Sequence, residues 1–203
     1  MSPDSILALV GFAFATSVTP GPSNLTLLAT SANFGFRRCI PLVFGTNLSF
    51  LSMILVVGFG LGQVLQATTV AYTGLKVVSL LYILWLAWKI ARATPPPNGE
   101  DNSAREGRPL TFLQMALLQW VNPKAWAVAL AVTAAYTSAT DYTVSLIILT
   151  AVFGLVNLPS VSVWALSGGA LKSLLRAPRT VRIFNLVMAV LLVASVTPIL
   201  LEL

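Results

Sequence analysis

Two short stretches of this sequence combine helix-breaking residues with polar side chains inside otherwise apolar segments. The first is Thr19-Pro20-Gly21-Pro22-Ser23-Asn24, and the second is Asn122-Pro123-Lys124. Proline lacks a backbone N–H and clashes with the preceding helical turn, and glycine favours non-helical dihedral angles, so a helix breaks at each stretch. A break inside a membrane helix frees backbone amides and carbonyls, which are tolerated only where they face protein, water or a ligand. Each stretch is therefore a candidate binding site.

Lys124 places a positive charge beside the second break. A charge at membrane depth costs at least ~2.5–3.5 kcal/mol on insertion scales, so something must offset it. No Asp or Glu falls inside any predicted span, which removes the usual compensation by an internal ion pair. Two interpretations remain open. Lys124 either binds the carboxylate of a substrate or ties the broken ends of the two helices together.

Asparagine side chains add polar groups near both breaks. Asn24 is expected to cap the second half of the first broken helix, whose free N–H groups suit an anionic group. Asn47, Asn122 and Asn157 add amides in three further spans, and Pro159 after Asn157 predicts a third irregular helix. A single membrane amide often serves only interhelical hydrogen bonds, but their number here favours a site. The predicted substrate-binding and translocation residues are Pro20, Gly21, Pro22, Asn24, Asn47, Asn122, Pro123, Lys124 and Asn157.

The residue types that are missing exclude several kinds of chemistry. The chain has one cysteine, Cys39, and no histidine. An internal disulfide, a paired-cysteine redox centre, a His/Cys metal cluster and His-dependent nucleophilic catalysis are therefore excluded. A Ser–Lys enzyme remains conceivable, but no serine is obviously paired with Lys124. We predict no catalytic residue, no metal site and no cofactor.

The composition is that of an integral membrane protein. Hydrophobic residues make up 57% of the chain and charged residues 9%, and the mean hydropathy is +0.87. These values predict an all-α, multi-pass membrane protein with a single domain over residues 1–203, embedded in the lipid bilayer. The hydropathy pattern predicts six transmembrane helices, which span Ser5–Asn33, Ile40–Val64, Thr69–Ala91, Leu110–Tyr136, Val144–Leu171 and Ile183–Leu201.

The net charge of +6 comes from basic residues whose positions follow the membrane topology, so no nucleic-acid partner is predicted. They concentrate in the connections after the first, third and fifth spans, whereas the opposite connections hold none. By the positive-inside rule these three connections are cytoplasmic and both termini lie outside. The residues concerned are Arg37, Arg38, Lys89, Arg92, Arg105, Arg108, Lys172, Arg176, Arg179 and Arg182.

A long connector divides the predicted spans into two sets of three. Residues 93–109 form a cytoplasmic linker rich in proline and charge, between one half at 1–92 and another at 110–203. Three spans per half give the halves opposite polarity in the membrane, as in an inverted repeat. The first and fourth spans both carry a break. Matched breaks of this kind indicate a transporter site near the membrane midplane.

Three blocks of this sequence are typical of a known family, and they are residues 19–24 followed by Gly35-Phe36-Arg37, residues 81–89 (LYILWLAWK) and residues 119–125 (QWVNPKA). Through these blocks the chain resembles the LysE/RhtB family of bacterial amino-acid exporters. The likeness covers essentially the whole chain and is closest to the branch that exports cysteine and O-acetylserine. It implies an inner-membrane exporter of amino acids or close derivatives, driven by the proton motive force and assembled as a homodimer.

The chain departs from this family at one position. Many members carry an acidic residue in the second span, whereas Gly45-Thr46-Asn47-Leu48-Ser49-Phe50 has none. If that acid carries coupling protons in relatives, this protein couples through another group such as Lys124, or it works as a facilitator.

The leading hypothesis is a secondary transporter that holds a zwitterionic, amino-acid-like solute between the two broken helices. It exposes the solute to each side in turn by rocking one half against the other. The alternatives are a transporter of another small solute or ion, and a membrane scaffold without transport activity. A metal-ion carrier is disfavoured because the interior offers amides and one cysteine rather than carboxylates or histidines. A scaffold would not need two matched breaks.

Overall fold

The computed structural model describes residues 1–61, 69–93, 109–138, 140–172 and 177–194. Every regular element within these ranges is helical, and one turn of π-helix, Val57–Leu61, follows α3. The helices are α1 Pro3–Val18, α2 Pro22–Phe34, α3 Phe36–Val56, α4 Thr69–Ala91, α5 Phe112–Val121, α6 Pro123–Tyr136, α7 Tyr142–Lys172 and α8 Pro178–Ala194.

In chain order, the six predicted spans correspond to α1–α2, α3, α4, α5–α6, α7 and α8. By length and apolarity, Phe36–Gly60 and Tyr142–Leu171 could each cross a membrane, and the bent pair α1–α2 makes a third if it is one span. The all-α prediction is confirmed for the described residues, whereas six spans in two inverted repeats stay a prediction. Most of the linker at 93–109 and the end of the sixth span lie outside the described residues.

Both predicted helix breaks are present. The axes of α1 and α2 differ by 53°, and Pro22 is the first residue of α2. Asn122 has an extended backbone (φ −77°, ψ 110°) between α5 and α6, and Pro123 is the first residue of α6. Proline suits this position because its missing N–H would have no helical partner there.

The predicted third irregular helix is wrong. Pro159 lies inside α7, which continues without interruption from Tyr142 to Lys172. A single internal proline removes one backbone hydrogen bond, and the packing of α7 against α1, α2 and α3 holds the helix on both sides of it. The first break differs because two prolines and a glycine occur within three residues.

The helices of the two predicted halves interlock. The most extensive contact in the described chain is between α2 and α7, and α7 also packs against α1 and α3. Helix α3 in turn packs against α5, and α4 packs against α8. A Cβ atom added to Gly168 of α7 would lie 2.2 Å from the carbonyl oxygen of Leu28 in α2. The glycine therefore lets α7 approach the α2 backbone directly.

The buried apolar side chains form two clusters. One joins α2, the first part of α3, α4, α5, the later part of α7 and α8. The other joins α1, the later part of α3, α6 and the first part of α7. Both broken helices thus place one half in each cluster. The breaks lie between the clusters and form a polar layer with the buried polar residues of α3 and α7, which are Thr46, Asn47, Ser49, Asn157 and Ser160.

Candidate functional site

A cavity lies in this polar layer, with an empty volume of about 410 Å³ that includes a part open to solvent. It is bounded by the two helix breaks and by α3 and α7. Its apolar walls include Phe50 and Phe153, whose rings meet edge to face with centroids 5.4 Å apart. Its polar lining consists of Thr16, Ser17, Ser23, Asn24, Thr46, Gln119, Asn122, Lys124 and Asn157.

The carbonyl groups at the end of α1 are satisfied by side chains from other turns and helices. Nδ2 of Asn24 donates to the carbonyl oxygens of Ser17 and Thr19 at 2.8 and 3.0 Å. Nε1 of Trp164 in α7 donates to Val18 O at 3.2 Å. Asn24 was expected to cap α2 and instead caps the end of α1. The exposed α1 carbonyls need donors, and the side chain of a residue in the first turn of α2 points back towards them.

Lys124 crosses from the second break to the first. Its Nζ donates to the carbonyl oxygens of Thr19 and Pro20 at 2.9 and 3.2 Å. A Cβ atom added to Gly21 would lie 3.0 Å from Cδ and 3.3 Å from Nζ of Lys124, so the side chain passes directly over this glycine. The positive charge thus meets the negative end of the α1 dipole. Tying the broken helices together is therefore one role that Lys124 performs.

A second set of hydrogen bonds joins the breaks inside the layer. Oδ1 of Asn122 accepts from the backbone N–H of Lys124 at 3.1 Å and caps α6. Nδ2 of Asn122 donates to Oγ of Ser23 at 3.3 Å, and the Ser23 hydroxyl donates to Oε1 of Gln119. These bonds fix the start of α2 against the end of α5 and the start of α6.

Two amide side chains connect α3 and α7 within the polar layer. Nδ2 of Asn157 donates to Oδ1 of Asn47 at 2.9 Å, and both side chains are buried. Asn157 lines the cavity together with Thr46, whereas Asn47 lies behind them as the hydrogen-bond acceptor. The predicted amides of these two spans are thus in direct contact.

The structure gathers five of the predicted residues in the cavity wall and places the others around it. Pro20 contributes a carbonyl to Lys124, Pro22 and Pro123 start the second half-helices, and Asn47 holds Asn157. The lining residues are Gly21, Asn24, Asn122, Lys124 and Asn157. The sequence analysis did not include five further polar lining residues. Each lies within five residues of a predicted one, and they are Thr16, Ser17, Ser23, Thr46 and Gln119.

Lys124 is the one charged residue among those that line the cavity in the described part of the chain. The two acidic residues that the structure describes lie far from it in the fold, Asp4 in the first turn of α1 and Asp141 just before α7. Within the described ranges, no group of three His, Cys, Asp or Glu residues could hold a metal ion. The cavity therefore combines one cation with hydroxyl and amide groups.

Comparisons with known proteins identify the family of this chain. A family model described as LysE type translocator matches residues 14–196. Two proteins named "Cysteine/O-acetylserine efflux protein", from Escherichia coli (strain K12) and Shigella sonnei (strain Ss046), are each 31% identical over 200 residues, which cover 95% of this chain and 96% of theirs. No solved structure matches the chain. The chain therefore belongs to the LysE type translocator family and is a multi-pass membrane transport protein rather than an enzyme.

Proposed function

We propose that this protein exports amino acids or close derivatives across the bacterial inner membrane by alternating access. Its membership of the translocator family and its likeness to efflux proteins named for cysteine and O-acetylserine support this proposal. Those two solutes are therefore the first substrates to test. Because α7 of the second half packs against α1 and α2 of the first, each wall of the cavity combines helices from both halves.

The observation that carries the proposal is the position of Lys124 in a polar cavity between two broken helices. An ammonium group has three N–H donors, and the carbonyls of Thr19 and Pro20 use two of them. The third donor is available to a solute in the cavity. A carboxylate bound there would form a charge-assisted hydrogen bond, which is among the stronger kinds in proteins. Lys124 can thus tie the helices and bind the substrate at once.

Helix directions support six spans arranged as two inverted three-helix repeats. The first span, α1–α2, runs from one apolar cluster to the other, and α5–α6 runs in the opposite direction. Helices α3 and α7, the second span of each half, also run in opposite directions. Equivalent spans of opposite polarity are what an inverted repeat requires. We further propose that both termini lie outside, and that the protein forms the homodimer implied by its family resemblance.

The energy source is proposed to be the proton motive force. No carboxylate of the described residues lines the cavity, so Lys124 is the lining group that can exchange a proton. Collapsing the proton gradient with a protonophore distinguishes a coupled exporter from a facilitator. Efflux against a concentration gradient stops in the first case, whereas a facilitator shows only downhill flux, which continues.

The test is efflux of a panel of labelled amino acids, including cysteine and O-acetylserine, from cells that overproduce the protein. We expect faster efflux of one or a few solutes. Lys124→Met should reduce it by about tenfold or more, because hydrogen bonds to charged groups contribute ~1.5–3 kcal/mol. Lys89→Met is the matched control, since Lys89 lies near the end of α4 and does not line this cavity.

Membrane abundance separates the two roles of Lys124. Lost efflux at normal abundance indicates substrate binding, whereas loss of the protein itself indicates that the tie between the helices dominates. If the unaltered protein accelerates no solute in the panel, amino-acid export is wrong.

A further inference from the structure

Two amide oxygens in the cavity wall accept no hydrogen bond from any residue that the structure describes. They are Oδ1 of Asn24 and Oδ1 of Asn157. Both side chains are deeply buried, with 6% and 5% of their surface exposed, and both line the cavity. Neither oxygen is among the side-chain atoms of the described residues that are both fully buried and unpaired, so each remains accessible although its residue is buried. Each is therefore an acceptor that a donor inside the cavity can use.

The orientation of the Asn24 amide follows from its neighbours. Its Nδ2 group donates both hydrogens, to the carbonyl oxygens of Ser17 and Thr19. Carbonyl oxygens only accept, so the nitrogen must face them and the oxygen must face away. The break in the first helix therefore fixes an acceptor in the cavity wall. Lys124 donates to the same Thr19 carbonyl, which keeps this part of the wall in place.

The Asn157 amide is oriented by a neighbour outside the cavity wall. Its Nδ2 donates to Oδ1 of Asn47 on α3, which leaves the Asn157 oxygen without a donor. Asn47 does not line the cavity and serves to hold Asn157. Two helices thus present acceptor oxygens, α2 through Asn24 and α7 through Asn157.

We propose that the amide oxygens of Asn24 and Asn157 bind the ammonium group of the substrate. This inference rests on the proposed function and assigns the second charged end of the same solute. Lys124 supplies the donor for a carboxylate, and the two oxygens supply acceptors for an ammonium that carries three donors and no acceptor. The freed carbonyls of Ser17, Val18 and Thr19 each accept a hydrogen bond from a side chain already, whereas the two amide oxygens accept none from the described residues. The cavity therefore selects solutes that carry both groups.

Competition between three related ligands tests this assignment. Labelled cysteine is taken up by purified protein in proteoliposomes under reducing conditions, with cysteamine or 3-mercaptopropionate as competitor. Cysteamine lacks the carboxylate and 3-mercaptopropionate lacks the ammonium, while both keep the thiol. We expect Asn157→Leu to weaken competition by cysteamine about tenfold, and competition by 3-mercaptopropionate by less than about twofold. Lys124→Met should show the reverse pattern.

The matched comparison is Asn47→Leu. It removes the same hydrogen bond between α3 and α7 but leaves the Asn157 oxygen able to reach the cavity. Since Asn47→Leu also frees the Asn157 amide to rotate, the loss of cysteamine competition in Asn157→Leu beyond that in Asn47→Leu gives the least that the Asn157 oxygen contributes. Asn157→Asp adds a variant that keeps the shape of the side chain. Its charged acceptor should strengthen competition by cysteamine and weaken competition by 3-mercaptopropionate.

Three results would overturn the assignment. The first is a larger loss of cysteamine competition in Asn47→Leu than in Asn157→Leu, and the second is equal weakening of both competitors by Asn157→Leu. The third is an Asn157→Asp variant that binds cysteamine less well than the unaltered protein does. In each case the export proposal stands if the unaltered protein still moves cysteine. If the unaltered protein moves no solute of the panel, the proposed function fails and this assignment fails with it.

Discussion

Replacing Gly168 with alanine should separate α7 from α2, the pair of helices with the most extensive contact in the described chain. The added Cβ atom would lie 2.2 Å from the carbonyl oxygen of Leu28, and 3.0 Å from both its carbonyl carbon and Cβ of Ser31. Ordinary van der Waals contact lies at 3.4–4 Å. The nearest obstacle is backbone, so no side-chain rotation relieves the clash, and the two helices must part by about 1 Å.

Two opposing terms set the size of the effect. Inserting a methyl group into a well-packed core costs ~1–3 kcal/mol, and a backbone obstacle places this site at the upper end of that range. Alanine in a helix interior is more favourable than glycine by ~0.8–1.0 kcal/mol. The net destabilisation of Gly168→Ala is therefore ~2 kcal/mol. Gly11→Ala in α1 receives the same propensity gain without a clash, because nothing lies within 4 Å of its added Cβ. The difference between the two variants isolates the clash.

Thermal unfolding of the purified protein in detergent, followed by tryptophan fluorescence, measures this difference. The midpoint should fall for Gly168→Ala and should stay level or rise for Gly11→Ala. Equal midpoints in the two variants would refute the close approach of α7 to α2. They would also weaken the argument that Gly168 allows the helix of one half to pack into the other.

Two further predictions concern the first break and the topology. Gly21→Ala should lower efflux several-fold at normal abundance, because its Cβ would lie 3.0 Å from Cδ of Lys124 and push the ammonium away from the carbonyls of the break. Efflux equal to that of Gly11→Ala would contradict this. Alkaline phosphatase fused after Leu203 should be active, and green fluorescent protein at the same place should be dark, because the charge distribution places the C-terminus outside. The reverse pattern would invert the topology.

The helix breaks could be predicted from the sequence because their causes are local. Proline and glycine act on the backbone of their own turn, so the residues around Pro22 and Pro123 fix both breaks without knowledge of the fold. The grouping of Gly21, Asn122 and Lys124 in one cavity followed from matching the breaks of the two halves. Local chemistry and one symmetry argument therefore led to five of the residues that line the cavity.

The partners of the freed backbone groups could not be predicted in the same way. Trp164 donates to a carbonyl that lies 146 residues earlier in the chain, and its residue type suggests an apolar or interfacial role. Asn24 could have capped either half-helix, and only the position of α1 decides between them. The effect of Pro159 on α7 was overestimated, because a proline in the sequence does not reveal whether neighbouring helices hold its own helix in place.

The two interpretations of Lys124 that the sequence left open are compatible once its donors are counted. The carbonyls of Thr19 and Pro20 offset much of the cost of the charge, because they lie at the negative end of α1. A lysine held in this way has little freedom left to lose, so a carboxylate that takes its third donor avoids much of the cost of ordering the side chain. If the protein binds a solute as proposed, the tie between the broken helices preorganises the site for it. The tie would also link the bound carboxylate to the junction of α1 and α2, where a change in the bend between the two helices would alter the position of the Lys124 ammonium.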